Sequence, residues 1–375
     1  MYQRQLRVLY LPILFYPDTW NGIMEHMLHL INDLNREQYE PFVAVRPDEG
    51  DQTRALVDRT GATPCLLSEA RTAAEIRDLC RSKMINIVHI QTPVTGGVPR
   101  MAFGVRLGGA SLTLVTYQLV QPSPLRRRSR LINRAVHRFL IHHTIAVSGG
   151  VADSLVVNTG LRSRRIQIIH NTVDPYTGDS SPLPVPRSPN EVWIGYFGRL
   201  AQEKGLPCLI DALSLLRTRC PHAHTILVGD GYERAALEEQ ARRLGLGDRI
   251  VFAGHRDDTR ALMREVDIVV LPSLIEGFSL TILEAMDAAR PLVATRIPGT
   301  VEAVEDGVTG LLVPPANSQA LADTLSVLVE DPARRAAMGN AGRQRFLKNF
   351  PTRQMVEPVY RMYDEQLRLL AHSVS

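Results

Sequence analysis

Two glutamates, Glu276 and Glu284, stand eight residues apart in the window LPSLIEGFSLTILEAMDAARPLVATRIPGTVEAVEDGVTGLLVPP, residues 271–315. The pattern around them predicts a strand over 267–271, a loop carrying Glu276 and Gly277, and a helix over 279–289. Gly277 lets a ligand come close to the backbone. The first N–H groups of the helix, entered through Phe278, Ser279 and Leu280, suit anionic or hydroxyl oxygens. Two carboxylates at this spacing also arise by chance, so the strand, glycine loop and helix start carry the signal.

A second group follows the predicted strand 192–197. Gly198 and Arg199 come directly after it, then Lys204 in the run EKG. Arginine offers a planar fork and lysine a compact point charge, both suited to phosphate oxygens. A surface arginine and lysine would look the same in isolation. What distinguishes Lys204 is rarity: the chain has three lysines, Lys83, Lys204 and Lys348, and otherwise uses arginine. Asp230 and Gly231 read first as turn residues between a strand and a helix. His255, in Gly254-His255-Arg256, follows another strand and is by itself a weak signal.

These residues need a scaffold that brings loop ends together. Short apolar runs at 7–12, 41–45, 87–91, 112–116 and 144–147 alternate with helical patterns such as 22–34 and 72–81. That texture predicts a parallel sheet covered on both faces. A stretch with five prolines, from Pro175 to Pro189, interrupts it and reads as a stiff linker. The alternation then restarts at 192–197, 224–228, 250–252, 268–271 and 292–295. The expected organisation is α/β with two doubly wound domains, 1–176 and 191–351, joined by a linker at 177–190. An amphipathic segment, 352–375, returns to the first domain. Ligands of such sheets bind at the carboxyl ends of the strands, here in a cleft between the domains.

Composition narrows the class. With 375 residues, 45% apolar and 22% charged, the chain suits two soluble globular domains. The net charge of +4 is compatible with phosphate ligands or an anionic membrane and gives no argument for nucleic acid. The apolar run 8–16 is too short for a membrane span, and the N-terminus lacks the layout of a signal peptide, so a cytoplasmic protein is expected. Cys65, Cys80, Cys208 and Cys220 are scattered, without a C-x-x-C pair. No Asp-x-Asp pair occurs, so a carboxylate-held divalent metal is not suggested.

One basic segment stands apart. Residues 124–140, PLRRRSRLINRAVHRFL, open on Pro124, close on Leu140 and place six arginines among leucine, isoleucine, valine and phenylalanine. It could be an amphipathic helix docking on anionic lipid, peripheral to the inner membrane face. The commoner reading of such a segment is a core-packed helix with a solvated arginine face.

Four segments, in order, resemble glycosyltransferase family 4, a retaining family of GT-B architecture. Ile169-His170-Asn171-Thr172-Val173-Asp174 resembles its domain-crossing I-x-N-G-V-D segment, with Thr172 where glycine is usual. Gly198-Arg199-Leu200 with Glu203-Lys204-Gly205 resembles its phosphate loop. The run ending VGDG resembles its strand-and-turn element, and Glu276…Glu284 its E-x7-E motif. The resemblance is dense in the second domain and loose in the first.

It implies a nucleotide-sugar co-substrate, UDP by default, with no other cofactor and no metal. Arg199, Lys204 and Glu276 would be catalytic. Donor contacts would come from Gly22, Gly198, Arg199, Lys204, His255, Glu276, from Gly277 through Leu280, and from Glu284. Gly22, after Asn21, matches a site of paired glycines of which one is present. Gln118 matches a position where the family tends to place histidine, and glutamine can hydrogen-bond but cannot take a proton. Gln118 and Asn171 would stand on the acceptor side. Transfer would be front-face, with the leaving phosphate as base, to a hydroxyl acceptor the sequence does not identify. Another enzyme of this architecture, such as an epimerase or phosphorylase, is disfavoured by the G-R-L…E-K-G and E-x7-E segments and by the lack of a cue for a cofactor lysine, while Gln118 and Thr172 keep open a non-catalytic sugar-nucleotide-binding partner or sensor.

Overall fold

The computed structural model describes residues 5–13, 22–46, 52–68 and 70–372. They form two parallel sheets. The first has seven strands: β1 Leu6–Pro12, β2 Tyr39–Val45, β3 Thr63–Leu66, β4 Ile87–Thr92, β5 Leu112–Tyr117, β6 His143–Ala146 and β7 Ile166–Ile168, in the order β3-β2-β1-β4-β5-β6-β7. The second has six: β8 Val192–Phe197, β9 Ala223–Val228, β10 Ile250–Gly254, β11 Ile268–Leu271, β12 Leu292–Thr295 and β13 Gly310–Val313, in the order β10-β9-β8-β11-β12-β13.

Every residue of β4, β5 and β8 is buried, which is why those runs are apolar or hold hydrogen-bonded polar groups throughout. The alternation of the sequence does not announce β3, β7 or β13. All three are edge strands of three or four residues. None is buried throughout, so few of their positions must be apolar and a short one leaves little pattern.

The chain divides into two compact units: 1–172 with 352–375, and 173–351. The boundary expected at 176 therefore falls at Thr172. Residues 177–190 stand with the second unit and are fastened to it. Ser181 Oγ donates to Asp258 Oδ2 at 2.6 Å, Arg187 reaches the Asp267 carboxylate at 2.7 Å, and the Tyr176 ring lies under Arg260 and Arg264. The helix Thr352–His372 belongs to the first unit. Met355, Val359 and Tyr363 enter its core, and the Tyr363 hydroxyl meets His89 Nδ1 at 2.8 Å. Among the described residues, no helix is long and apolar enough to cross a membrane.

Candidate functional site

In the second sheet the strand order runs outward in both directions from β8 and β11. Such a reversal opens a crevice at the carboxyl ends of the two strands, because their following loops leave toward opposite sides. The loop after β8 carries Gly198, Arg199 and Lys204; the loop after β11 carries Glu276 and Gly277. The two loops are joined here. Lys204 Nζ lies 2.6 Å from Glu276 Oε1, and the Leu274 N–H donates to the Glu203 carbonyl at 2.8 Å.

The joint depends on Gly205. Its φ of +65° is left-handed, and a β-carbon there would sit 2.2 Å from the Pro272 carbonyl oxygen. Only glycine meets both conditions. Behind Glu276, the turn after β12 approaches equally closely, since a β-carbon on Gly299 would lie 2.5 Å from the Gly277 carbonyl oxygen. The Glu276–Gly277 backbone is thus clamped from two sides.

Glu276 is nearly buried, and its Oε1 accepts from Lys204 and from Ser273 Oγ at 2.7 Å. Arg199 pairs with Glu203, four residues on. Tyr196, at the end of β8, donates its hydroxyl to the Arg199 carbonyl at 2.7 Å. Burial, with the Glu276 charge adding, pushes that phenol well above its ordinary range, so it remains a donor. The result is two cations, each paired with a carboxylate and held by backbone and side-chain contacts, at one crevice.

The helix after this loop runs Leu280–Asp287, shorter at both ends than expected. Ser279 caps it without a side-chain bond, while Thr281 ties its first turn to the Phe197 carbonyl. Phe278 is buried against Phe350. Glu284 lies one turn into the helix, half-buried. One turn further, buried Asp287 accepts from the Tyr176 N–H at 2.7 Å and from Arg260 at 2.8 Å, anchoring the entry of the chain into this unit. His255 follows edge strand β10, is 80% exposed by side chain and faces Asp257.

In the first unit, Gln118 and Asn171 come together. Asn171 Nδ2 donates to Gln118 Oε1 at 2.8 Å, and Asn171 Oδ1 meets His26 Nδ1 at 2.9 Å. With that oxygen accepting, the His26 proton sits on Nδ1. Burial lowers the His26 pKa to about 4, against a smaller raising effect of Asn171, so the ring is neutral. Gly22 is the first residue of the helix Gly22–Asn32. Asn21 lies outside the described residues.

Sequence reasoning missed Ser273, Gly299 and His26. Ser273 and Gly299 lie inside the glutamate window, and S-x-x-E before a helix offered a faint signal. His26 carried none, because its partner is 145 residues away.

Comparison with known proteins gives a consistent picture. Residues 20–176 match the model described as Glycosyltransferase Family 4, and residues 191–331 the one described as Glycosyl transferases group 1. The lipopolysaccharide core biosynthesis mannosyltransferase LpsB of Rhizobium meliloti is 30% identical over 246 residues, 62% of this chain and 68% of that protein. Glycogen synthase of Mycobacterium tuberculosis is 32% identical over 234 residues, 61% of this chain. That match spans 56% of the synthase, so the chain covers about half the length of such a relative. The crystal structure of Anabaena HepE in complex with UDP superposes with a TM-score of 0.81 at 21% identity, covering 96% of this chain and all of that one.

Proposed function

Because this chain belongs to glycosyltransferase family 4 and has the GT-B fold, we propose that it transfers a sugar, with retention, from a nucleotide-sugar donor to a hydroxyl acceptor without a metal ion. The observation that carries this reading is the Lys204–Glu276 pair at the β8/β11 crevice, with Arg199 in the same loop. In the proposed step the acceptor oxygen bonds to the anomeric carbon on the face from which the diphosphate departs. The C1–O bond to phosphate breaks, and the hydroxyl proton passes to a leaving phosphate oxygen. Charge grows on the diphosphate as that bond lengthens. Lys204 and Arg199 oppose it, as a metal ion does elsewhere.

Glu276 has a different part: a carboxylate fixed beside Gly277 can accept hydrogen bonds from sugar hydroxyls. Glu284, deeper in the helix, suits the ribose diol. We assign Gln118 and Asn171 to the acceptor side, where the Gln118 amide can donate and cannot act as a base. UDP is the first nucleotide to test, since HepE is a relative in fold that binds it.

The alternative is a partner subunit that binds a sugar nucleotide without turning it over. A thermal-shift panel of nucleotide sugars finds the donor by mass action. Nucleotide release from that donor then separates the readings. Slow hydrolysis without acceptor is expected of the transferase, whereas tight binding with no release at any enzyme concentration would overturn it.

A further inference from the structure

The segment 124–140 folds as the helix Arg127–Phe139, and its packing departs from the ordinary arrangement of an amphipathic helix. The residues it buries are Asn133, Val136 and His137, spaced i, i+3 and i+4. Its large apolar side chains point away from them. Phe139 is 70% exposed, Leu131 58% and Ile132 56%; Val157, in the separate short helix Leu155–Thr159 whose backbone Arg130 reaches, is 65% exposed. A core-packed helix with a solvated arginine face would place the apolar side chains inward.

The outward surface has two adjacent rows at helical spacing. One reads Arg127, Leu131, Arg134, Arg138; the other reads Arg128, Ile132, Ala135, Phe139. Of the six arginines in the segment, Arg130 folds back onto the Val157 carbonyl at 2.9 Å, and the other five are exposed. The surroundings share the charge. From residue 98 to residue 165 the chain has eleven arginines and one acid, Asp153, although its whole net charge is only +4.

We propose that this face is a membrane-docking surface, whose partner is a bilayer interface rich in anionic lipid. Phe139, Ile132 and Leu131 would enter the boundary between headgroups and acyl chains while the arginines reach lipid phosphates. Charge complementarity selects this occupant. A second copy of the chain would set arginines against arginines in a self-complementary contact. A nucleic acid would satisfy the arginines and leave the exposed phenylalanine, leucine and isoleucine in water.

The test is co-sedimentation of the full chain with vesicles of phosphatidylcholine alone and of phosphatidylcholine mixed with about one-third phosphatidylglycerol. No transfer assay is involved, so failure here leaves the enzymatic reading untouched. Binding is expected to the anionic vesicles only and to weaken with salt. Arg127→Gln with Arg134→Gln should lower partitioning roughly 25-fold, about fivefold per arginine. Phe139→Ser leaves the charge unchanged and should lower it roughly tenfold. Because these side chains are exposed, the variants keep the core, which circular dichroism verifies. Phe139→Trp should show a blue-shifted emission on anionic vesicles that the wild type lacks. Equal sedimentation with both vesicle types, or wild-type binding by Phe139→Ser, would overturn the proposal. So would a dimer in light scattering that Phe139→Ser abolishes, which would assign the face to a second copy of the chain.

Discussion

Lys204 and Glu276 form an ion pair, 2.6 Å between Nζ and Oε1, across two loops that follow different strands. Motif reading assigns the lysine to phosphate and the glutamate to sugar, as if each stood alone. Their contact means that neither charge waits unpaired. An ammonium group has three donors, so Lys204 can keep Glu276 while meeting a diphosphate. The carboxylate fixes where that ammonium stands, and Ser273 fixes the carboxylate.

Removing Lys204 should therefore harm two things. Lys204→Ala is expected to lower kcat by two to three orders of magnitude, the ~3–4 kcal/mol typical of a lost charge stabiliser. It should also lower the melting temperature, because Glu276 is nearly buried and keeps only the Ser273 hydroxyl. Lys204→Arg keeps the charge and should still be impaired, since a planar fork cannot occupy the place of a compact ammonium. Steady-state kinetics and melting curves of both variants decide. Wild-type rates in both would refute the assignment.

The two glutamates should separate in their effects. Glu284→Gln is expected to weaken binding of free nucleoside diphosphate and of intact donor alike, the behaviour of a residue that holds ribose. Glu276→Gln should leave diphosphate binding within about threefold and mainly lower kcat, as an interaction strongest in the transition state does. Calorimetric titration of each variant with the diphosphate, beside kinetics, makes the comparison. A reversed pattern would exchange the two roles.

Gly205 is a strict test of the loop junction. Gly205→Ala imposes a left-handed alanine and drives its β-carbon toward the Pro272 carbonyl. Backbone strain of this kind costs about 1–3 kcal/mol before the clash is counted. The expected outcome is a lower melting temperature together with a fall in kcat, because the backbone that must yield carries Lys204 on one side and Glu276 on the other. A variant that melts like the wild type would show that the junction relaxes freely.

The site was legible in sequence where chemistry demands rare residue types. Lys204 stands out in an arginine-using chain, and Glu276 with Gly277 follows a strand. Central strands such as β8 and β11 were legible because burial on both faces makes them apolar throughout. Edge strands β3, β7 and β13 were not, for want of that burial. Nor could His26 be paired with Asn171, or Ser273 be given its carboxylate, since a hydrogen bond between distant or ordinary residues leaves no pattern in either segment. The outward turn of Phe139 was invisible for a related reason: periodicity shows that a helix has two faces and does not say which one the fold covers.

Activity should survive a chelator. Arg199 and Lys204, paired with Glu203 and Glu276 at the crevice, take in the proposed reading the place that a metal ion has elsewhere. Turnover with EDTA is expected within about twofold of the untreated rate. Loss of activity that Mg²⁺ or Mn²⁺ restores would sink metal independence while leaving the family assignment intact.

The first unit should lose stability on mild acidification, and His26 gives the sign. Burial lowers its pKa to about 4, opposed by the Asn171 hydrogen bond and helped by His29. In the unfolded chain the ring titrates near its ordinary value of about 6.5. Between these two values the unfolded state binds a proton that the folded state refuses. Stability is thus complete above about pH 6.5 and falls progressively as pH drops toward 4, by about 3 kcal/mol from this residue alone. Buried His137, lowered to about 3, and His89, lowered well below its ordinary range, act in the same direction. Most carboxylates titrate lower, so the window from pH 6.5 to 5 reports chiefly on histidines. Urea unfolding followed across that window should show stability declining with pH. Replacing the titratable ring by an amide, His26→Gln, keeps a donor for Asn171 Oδ1 and should remove about one proton from the slope, roughly 1.4 kcal/mol per pH unit at most. A slope unchanged by the substitution would mean that His26 titrates alike in the folded and unfolded chain, and that the His26–Asn171–Gln118 chain is open to water.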